Sequence, residues 1–454
     1  MTILETARLL KTGAATSARL VEQTLSAVAA KDGSLNAFIT VLDESARARA
    51  KALDSELAQG KCRGPLHGVP VAVKDLFHMK GVRTTGGSKL FEDQVSSFDA
   101  AVVERLEAAG AIIIGKTNLH ELAYGVTSNN PHFGAVHNPH NLDCVPGGSS
   151  GGSGAAVAAE IVPMAMGTDT GGSIRIPAAF CGTVGLKPTF GRVSKFGCMP
   201  LGLSLDHMGP LTMTVRDTAV TMDAIAGHDP RDPNTSSGPV ESYLPEDNPA
   251  LAGVRIGWPV NFYFDSLDTE VRKSVNNARK VAESLGAHIV DVRVPDIAAL
   301  NTISRVVLMS EASAVLERYL GDRSKFGADV LALLDQGRLL PATDYVNAQR
   351  ARRAMQAEFQ KLFESVDCLF TPASPIPAPR IDQKSVMIDG MEEDVRLAAT
   401  RFVRGINALG LPALSLPCGR SSSGLPIGLQ IVGRAFAEKF VLHVGAALES
   451  AVLA

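Results

Sequence analysis

The chain has 454 residues, 45% of them hydrophobic, and a mean hydropathy of +0.11, so it can bury a large core and is not globally disordered. Its net charge of −3 leaves no electrostatic footprint for nucleic acid or an anionic membrane, and one tryptophan with five tyrosines makes no stacking surface for bases. Six cysteines without a C-x-x-C pair read as reduced thiols of a cytoplasmic protein; residues 1–13 lack a signal-peptide core, and the longest apolar run, Ala155–Met166, is broken by Glu160 and Pro163.

In chain order, Thr16-Ser17 opens a capped amphipathic helix that ends near Gly33, and a second helix follows Asp43 and stops at Gly60. Together they predict an outer helical layer over about residues 1–60. Gly68–Val73 is a short buried strand leading into Lys74. Asp99–Ala109 reads as a helix, Ala111–Ile114 as a strand and Thr117–Ala123 as another short helix. Between Pro146 and Pro177, two glycine-serine segments enclose a buried helix and the strand Pro163–Gly167. A helix over Asp217–Ala226 precedes a surface connection, 228–252, rich in Pro, Asp, Asn and Ser. Val254–Trp258 and His288–Val292 read as strands around a helix at Thr269–Leu285. Residues 295–365 are mostly helical and predict a cap over the sheet. Strands at Cys368–Thr371, Ala413–Leu416 and Leu429–Val432 precede a final helix, Ala437–Val452. Strands alternating with helices predict an α/β fold with a mixed or parallel sheet, organised as one domain over 1–454.

Three local patterns mislead. Gly110–Thr117 matches the phosphate-cradling G-x-x-x-x-G-K-[ST], but its central residues, Ala-Ile-Ile-Ile, are a strand and not a loop. Gly147–Gly151 matches G-x-S-x-G without the preceding strand a nucleophile elbow needs. His132, His137 and His140 lie in a Pro/Asn-rich loop with no supporting ligand pattern and read as surface histidines; no metal is implied.

Three residues remain that carry chemistry. Lys74 stands at the end of an apolar strand, where burial disfavours its ammonium. Lowering a lysine from about 10.4 to about 7–8 costs roughly 4 kcal/mol, and a neutral lysine is then a general base. Ser149 lies in the first glycine segment and Ser173 in the second, behind Thr170-Gly171-Gly172, where successive backbone N–H groups predict an oxyanion hole.

On these residues the chain resembles the amidase signature family, serine hydrolases with a Ser–cis-Ser–Lys triad. The matching stretches are GVPVAVKD at 68–75, GKTNLHELA at 115–123, PGGSSGGS at 146–153, GTDTGGSIRIPAAFCGTVGLKPT at 167–189 and LPIGLQIVG at 425–433. The resemblance implies a large mixed sheet covered by helices on both faces. It makes Ser173 the acyl-forming nucleophile, Ser149 the relay behind a cis peptide bond, and Lys74 the base. The N–H groups of Thr170, Gly171, Gly172 and Ser173 would hold the oxyanion, with Tyr124 and Gly125 at the lip of the acyl pocket. Ser150 either hydrogen-bonds Lys74 or supports the loop; Asp169 and Arg175 read as an ion pair or brace. No cofactor is implied. The partner is a small-molecule amide or carbamate, with no nucleic acid and no membrane, and a homodimer is a common family assembly. Substrates across the family include linear amides, anilides, carbamates (urethanes) and esters. The main alternative is the glutaminase subunit of a tRNA-dependent amidotransferase. That subunit usually carries an RRIMLGTY-like stretch and an ANLAGLPA-like helix, where this chain has LLDQGRLLPATDYVNAQRAR at 333–352 and GINALGLPA at 405–413. Both departures point to a free-standing amidase.

Overall fold

Alternation in the buried strands determines how the layers stack. In Pro70–Lys74, Val71 and Val73 belong to one core and Ala72 to another; in Ile112–Thr117, Ile113 faces the first core, and Ile112 and Ile114 the second. Strands buried on both faces read as nearly continuous apolar runs, as these do until each ends on buried polar residues, Lys74 in one and Lys116-Thr117 in the other. They lie in the computed structural model, which describes residues 1–452, within one mixed sheet of eleven strands. Its order runs 38–41, 112–117, 70–74, 164–169, 207–212, 184–187, 413–420, 426–433, 368–372, 255–259 and 288–292. Pro70–Lys74 is parallel to both neighbours, pairing Lys74 with Thr117 on one side and Val73 with Met166 on the other. The centre, from 164–169 to 368–372, is antiparallel, and the far edge is parallel again.

The helices Ser17–Leu35 and Asp43–Ala58 form where expected, the first capped by Thr16 accepting from the Arg19 N–H. Val21, Val28 and Leu53 pack with Ile112, Ile114 and the apolar residues of Gly151–Ala158. This N-terminal region is not wholly helical. Phe38–Val41 is an edge strand, antiparallel to Ile112–Thr117. An unpredicted helix, Ile3–Lys11, opens the chain on a reciprocal cap between Thr2 and Glu5. The expected helix at Thr117–Ala123 does not form. Thr117 ends the strand, and only Glu121–Ala123 make a single tight turn in which Leu122 and Ala123 take φ of 51° and 59°. Glu121 explains the departure: its buried carboxylate accepts from the Ser88 hydroxyl (2.6 Å) and the Gly327 N–H (2.7 Å). Residues 295–365 carry the helices Ile297–Leu316, Ala328–Arg338 and Ala342–Ser365. No helix among the described residues is long and apolar enough to cross a membrane.

Candidate active site

Lys74 is the last residue of its strand and is completely buried. It shares the face of Ala72, against which Gly151–Ala158 packs. Its Nζ lies 2.7 Å from Ser149 Oγ, 2.9 Å from Ser150 Oγ and 2.7 Å from Thr168 Oγ1. Burial pushes the lysine down to about 7; Cys198, Asp169 and Asp206 pull it the other way, and none of them is bonded to it. A neutral amine has two N–H groups and one lone pair, so three hydroxyl neighbours cannot all accept from it. Ser150 already donates to the Thr168 carbonyl at 3.1 Å and accepts from the Thr168 N–H at 3.2 Å. The hydroxyl that donates to the lone pair is therefore that of Ser149 or Thr168. Both roles expected of Ser150, contact with Lys74 and loop support, are present together.

The peptide between Gly148 and Ser149 is cis. A side chain at Gly148 has no room: a Cβ there would come within 2.7 Å of the Val126 carbonyl carbon and 2.8 Å of Thr127 N. Ser149 hands its carbonyl to the His120 N–H at 3.1 Å, and the Ser150 N–H donates to the Ser173 carbonyl at 3.2 Å. The two glycine-serine segments are thus stitched together, although no hydrogen bond joins the hydroxyls of Ser149 and Ser173. Ser173 is 6% exposed, and it opens onto a cavity of about 70 Å³.

Behind Ser173, Arg175 grips Asp169 through Nε (3.0 Å) and Nη2 (2.9 Å), both side chains fully buried. Burial alone would raise the Asp169 carboxyl; the Arg175 guanidinium overrides this and holds it below the usual carboxylate range. Gln430 accepts from Arg175 Nη1 at 2.7 Å, and Asn407 donates to Asp169 Oδ1 at 3.0 Å. This pair has the geometry of a brace. It also changes the expected oxyanion hole, because the Gly172 N–H donates to Asp169 Oδ1 at 2.7 Å. The N–H groups of Thr170, Gly171 and Ser173 are left without an acceptor among the described residues. Gly172 itself is needed for its backbone, with φ of +128° and Val403 where a Cβ would stand.

Tyr124 and Gly125 line the same cavity as Ser173. Tyr124 is buried, its hydroxyl has no partner among the described residues, and burial pushes the phenol up to about 12. Their loop is anchored to the far helices: His120 pairs with Asp329 at 2.9 Å, and Glu121 bonds the Gly327 N–H. Of the three loop histidines, His140 is exposed as expected and His137 half-buried, whereas the His132 side chain is largely covered. His132 meets the buried Glu121 at 2.9 Å, and His140 meets the Cys181 carbonyl at 2.8 Å. No metal-binding cluster occurs among the described residues.

Two features escaped the sequence. Thr168 completes the Lys74 shell from the neighbouring strand. Arg305, Arg396 and Arg404 line the cavity together with Leu308, Met309 and Thr400. The spacing of Arg396, Thr400 and Arg404, four residues apart, was a visible hint of one shared face.

The Amidase family model matches residues 19–442. A glutamyl-tRNA(Gln) amidotransferase subunit from Anaeromyxobacter dehalogenans (strain 2CP-C) is 42% identical over 462 residues, 96% of this chain and 93% of that protein. Among solved structures, a chain from a vestigial protein complex bearing on the evolutionary origins of an s-triazine catabolic enzyme has a TM-score of 0.96 at 36% identity, covering 99% of this chain and 98% of that one. A crystal structure of an amidase has a TM-score of 0.91 at 37% identity, with 100% of both chains covered. The curated relatives favour the amidotransferase alternative over the free-standing branch suggested by 333–352 and 405–413.

Proposed function

The chain belongs to the amidase family, and from that premise we propose that it is a serine hydrolase that cleaves the C–N bond of a small amide through an acyl-enzyme on Ser173. The observation that carries the proposal is the 2.7 Å contact between Lys74 Nζ and Ser149 Oγ, with the buried lysine lowered to about 7. A base that is neutral at ordinary pH thus sits beside a hydroxyl able to relay a proton. Ser173 Oγ attacks the amide carbonyl, its proton passes to Ser149, and the proton of Ser149 passes to Lys74. The N–H groups of Thr170, Gly171 and Ser173 receive the negative oxygen. The C–N bond breaks as the amine takes a proton back along the same relay. Water, deprotonated by the same route, then hydrolyses the ester, and the carboxylic acid leaves. Hydrogen bonds of this kind are often open in an unliganded site and close on the substrate, which is the step that brings Ser149 onto Ser173. Anilides, carbamates and esters follow the same steps with a different leaving group.

A second reading is favoured by the curated relatives: the same acyl transfer from glutamine, with the ammonia consumed by the other components of a tRNA-dependent amidotransferase. Both readings place the acyl group on Ser173. Ser173→Ala is expected to lower amine or ammonia release by at least about 10³-fold. A rate within a few-fold of wild type sinks the assignment. Release by the purified chain alone supports the hydrolase, whereas release only when those components are present supports the second reading.

A further inference from the structure

The cavity before Ser173 is lined by three arginines, Arg305, Arg396 and Arg404, and by no aspartate or glutamate. They come from two separate parts of the chain, the Ile297–Leu316 helix and the short helices Val395–Thr400 and Arg404–Leu409. Arg404 donates through Nη2 to Thr400 Oγ1 at 2.9 Å, and none of the three guanidiniums is ion-paired among the described residues. The stem of Arg404 lies beside the nucleophile loop, since a Cβ built on Gly171 would meet its Cγ at 4.0 Å. The buried Tyr124 adds a hydroxyl with no partner among the described residues.

Three like charges around so small a space repel one another. Burial, and after it the charge of Arg305, pushes Arg404 down to about 10. Two fully buried cations elsewhere in the chain do have counter-charges: Arg175 has Asp169 at 2.9 Å and Lys116 has Asp75 at 2.8 Å. Here the protein supplies none among the described residues. Planar guanidinium forks with a free phenol are donors suited to a carboxylate.

We infer that Arg305, Arg396, Arg404 and Tyr124 form a subsite for an anionic group of the substrate, and that the amide cleaved at Ser173 is a monoamide of a small dicarboxylic acid. The inference rests on the reading of Ser173 as the acyl acceptor. It also separates two candidate substrates. Glutamine carries an ammonium beside its carboxylate, which would face three guanidiniums with no acid to receive it; glutaramate, the same molecule without the amino group, has no such conflict.

The test compares ammonia release from malonamate, succinamate and glutaramate with release from glutamine and from butyramide, a neutral amide the length of succinamate. For the best of the three acids, kcat/KM is expected to exceed that of glutamine and of butyramide at least tenfold. Its ratio to butyramide is expected to fall at least tenfold in Arg404→Gln and about threefold in Arg305→Gln, an exposed position that spares the fold. Preference for glutamine or butyramide overturns the subsite and leaves the hydrolase reading standing. Absence of release from every amide overturns the hydrolase reading instead, and binding then decides the subsite. In Ser173→Ala, calorimetry should detect succinate, with affinity at least tenfold weaker once Arg404→Gln is added. No binding, or equal affinity in both variants, overturns it.

Discussion

In the proposed reaction Lys74 is worth most among single residues, because its charge state would set whether the relay can start. Its value falls from an ordinary 10.5 to about 7, chiefly through burial. The stabilising contribution of the neutral form is complete above the unfolded value and is lost as pH falls from there through about 7, while the neutral amine of the folded protein, the proposed base, is lost only around 7. We expect kcat/KM to rise through pH 6–8 with a midpoint near 7 and then level off. A flat profile from pH 6 to 10 contradicts a neutral-lysine base. That Lys74 and the two glycine-serine segments with Ser149 and Ser173 come together was legible in the sequence, because each lies in a local pattern whose residue types serve one chemistry. Thr168 and the arginines were not, because only pairing with the next strand and packing of distant helices bring them to the site. The Gly172 N–H, which the sequence offers to an oxyanion, already has an acceptor, for a related reason. Asp169, three residues back, folds its carboxylate onto that N–H, and the exposure of consecutive glycine amides says nothing about such a competitor.

Elements were readable where a cap or an unbroken apolar run marked them, as at Thr16 and at 70–74. TNLHELA failed as a helix at 117–123 because Glu121 and His120 are held by Gly327 and Asp329, some two hundred residues away. That tie joins the lip of the cavity to the Ala328–Arg338 helix. Another tie closes the far end of the molecule: Glu449, on the last helix, accepts from the Val215 N–H at 2.9 Å, at the start of Val215–Ile225. Burial raises Glu449 from 4.5 to about 7 and Asp217 from 3.8 to about 6. A carboxyl raised in the folded state gives stability that is complete below its unfolded value and is lost as pH rises through its folded one. The melting temperature is therefore expected to fall between about pH 4.5 and 7. Glu449→Gln keeps the acceptor and removes the charge, so it should melt on the order of 1–3 °C above wild type at pH 8 and level with it at pH 4.5. A lower melting temperature for the variant at pH 8 contradicts this assignment.

For the whole molecule, the α/β class with a mixed sheet followed from alternating elements, but the strand order did not. Strands 164–169, 207–212 and 184–187 are neighbours out of chain order, and 413–433 inserts between them and 368–372. No periodicity encodes such crossovers. Their effect is to bring 70–74 and 164–169 side by side at the sheet's buried heart, so that a lysine, two serines and a threonine meet away from water while Ser173 keeps one opening. The most direct measurement of acyl transfer at that point is mass spectrometry of the purified chain, acid-quenched during turnover of a small amide that it hydrolyses. We predict a mass increment equal to the acyl group, mapped to the peptide that contains Ser173 and absent in Ser173→Ala. Steady turnover with the acyl group on another residue, or an increment that survives in Ser173→Ala, contradicts the acyl-enzyme at the centre of the proposed reaction.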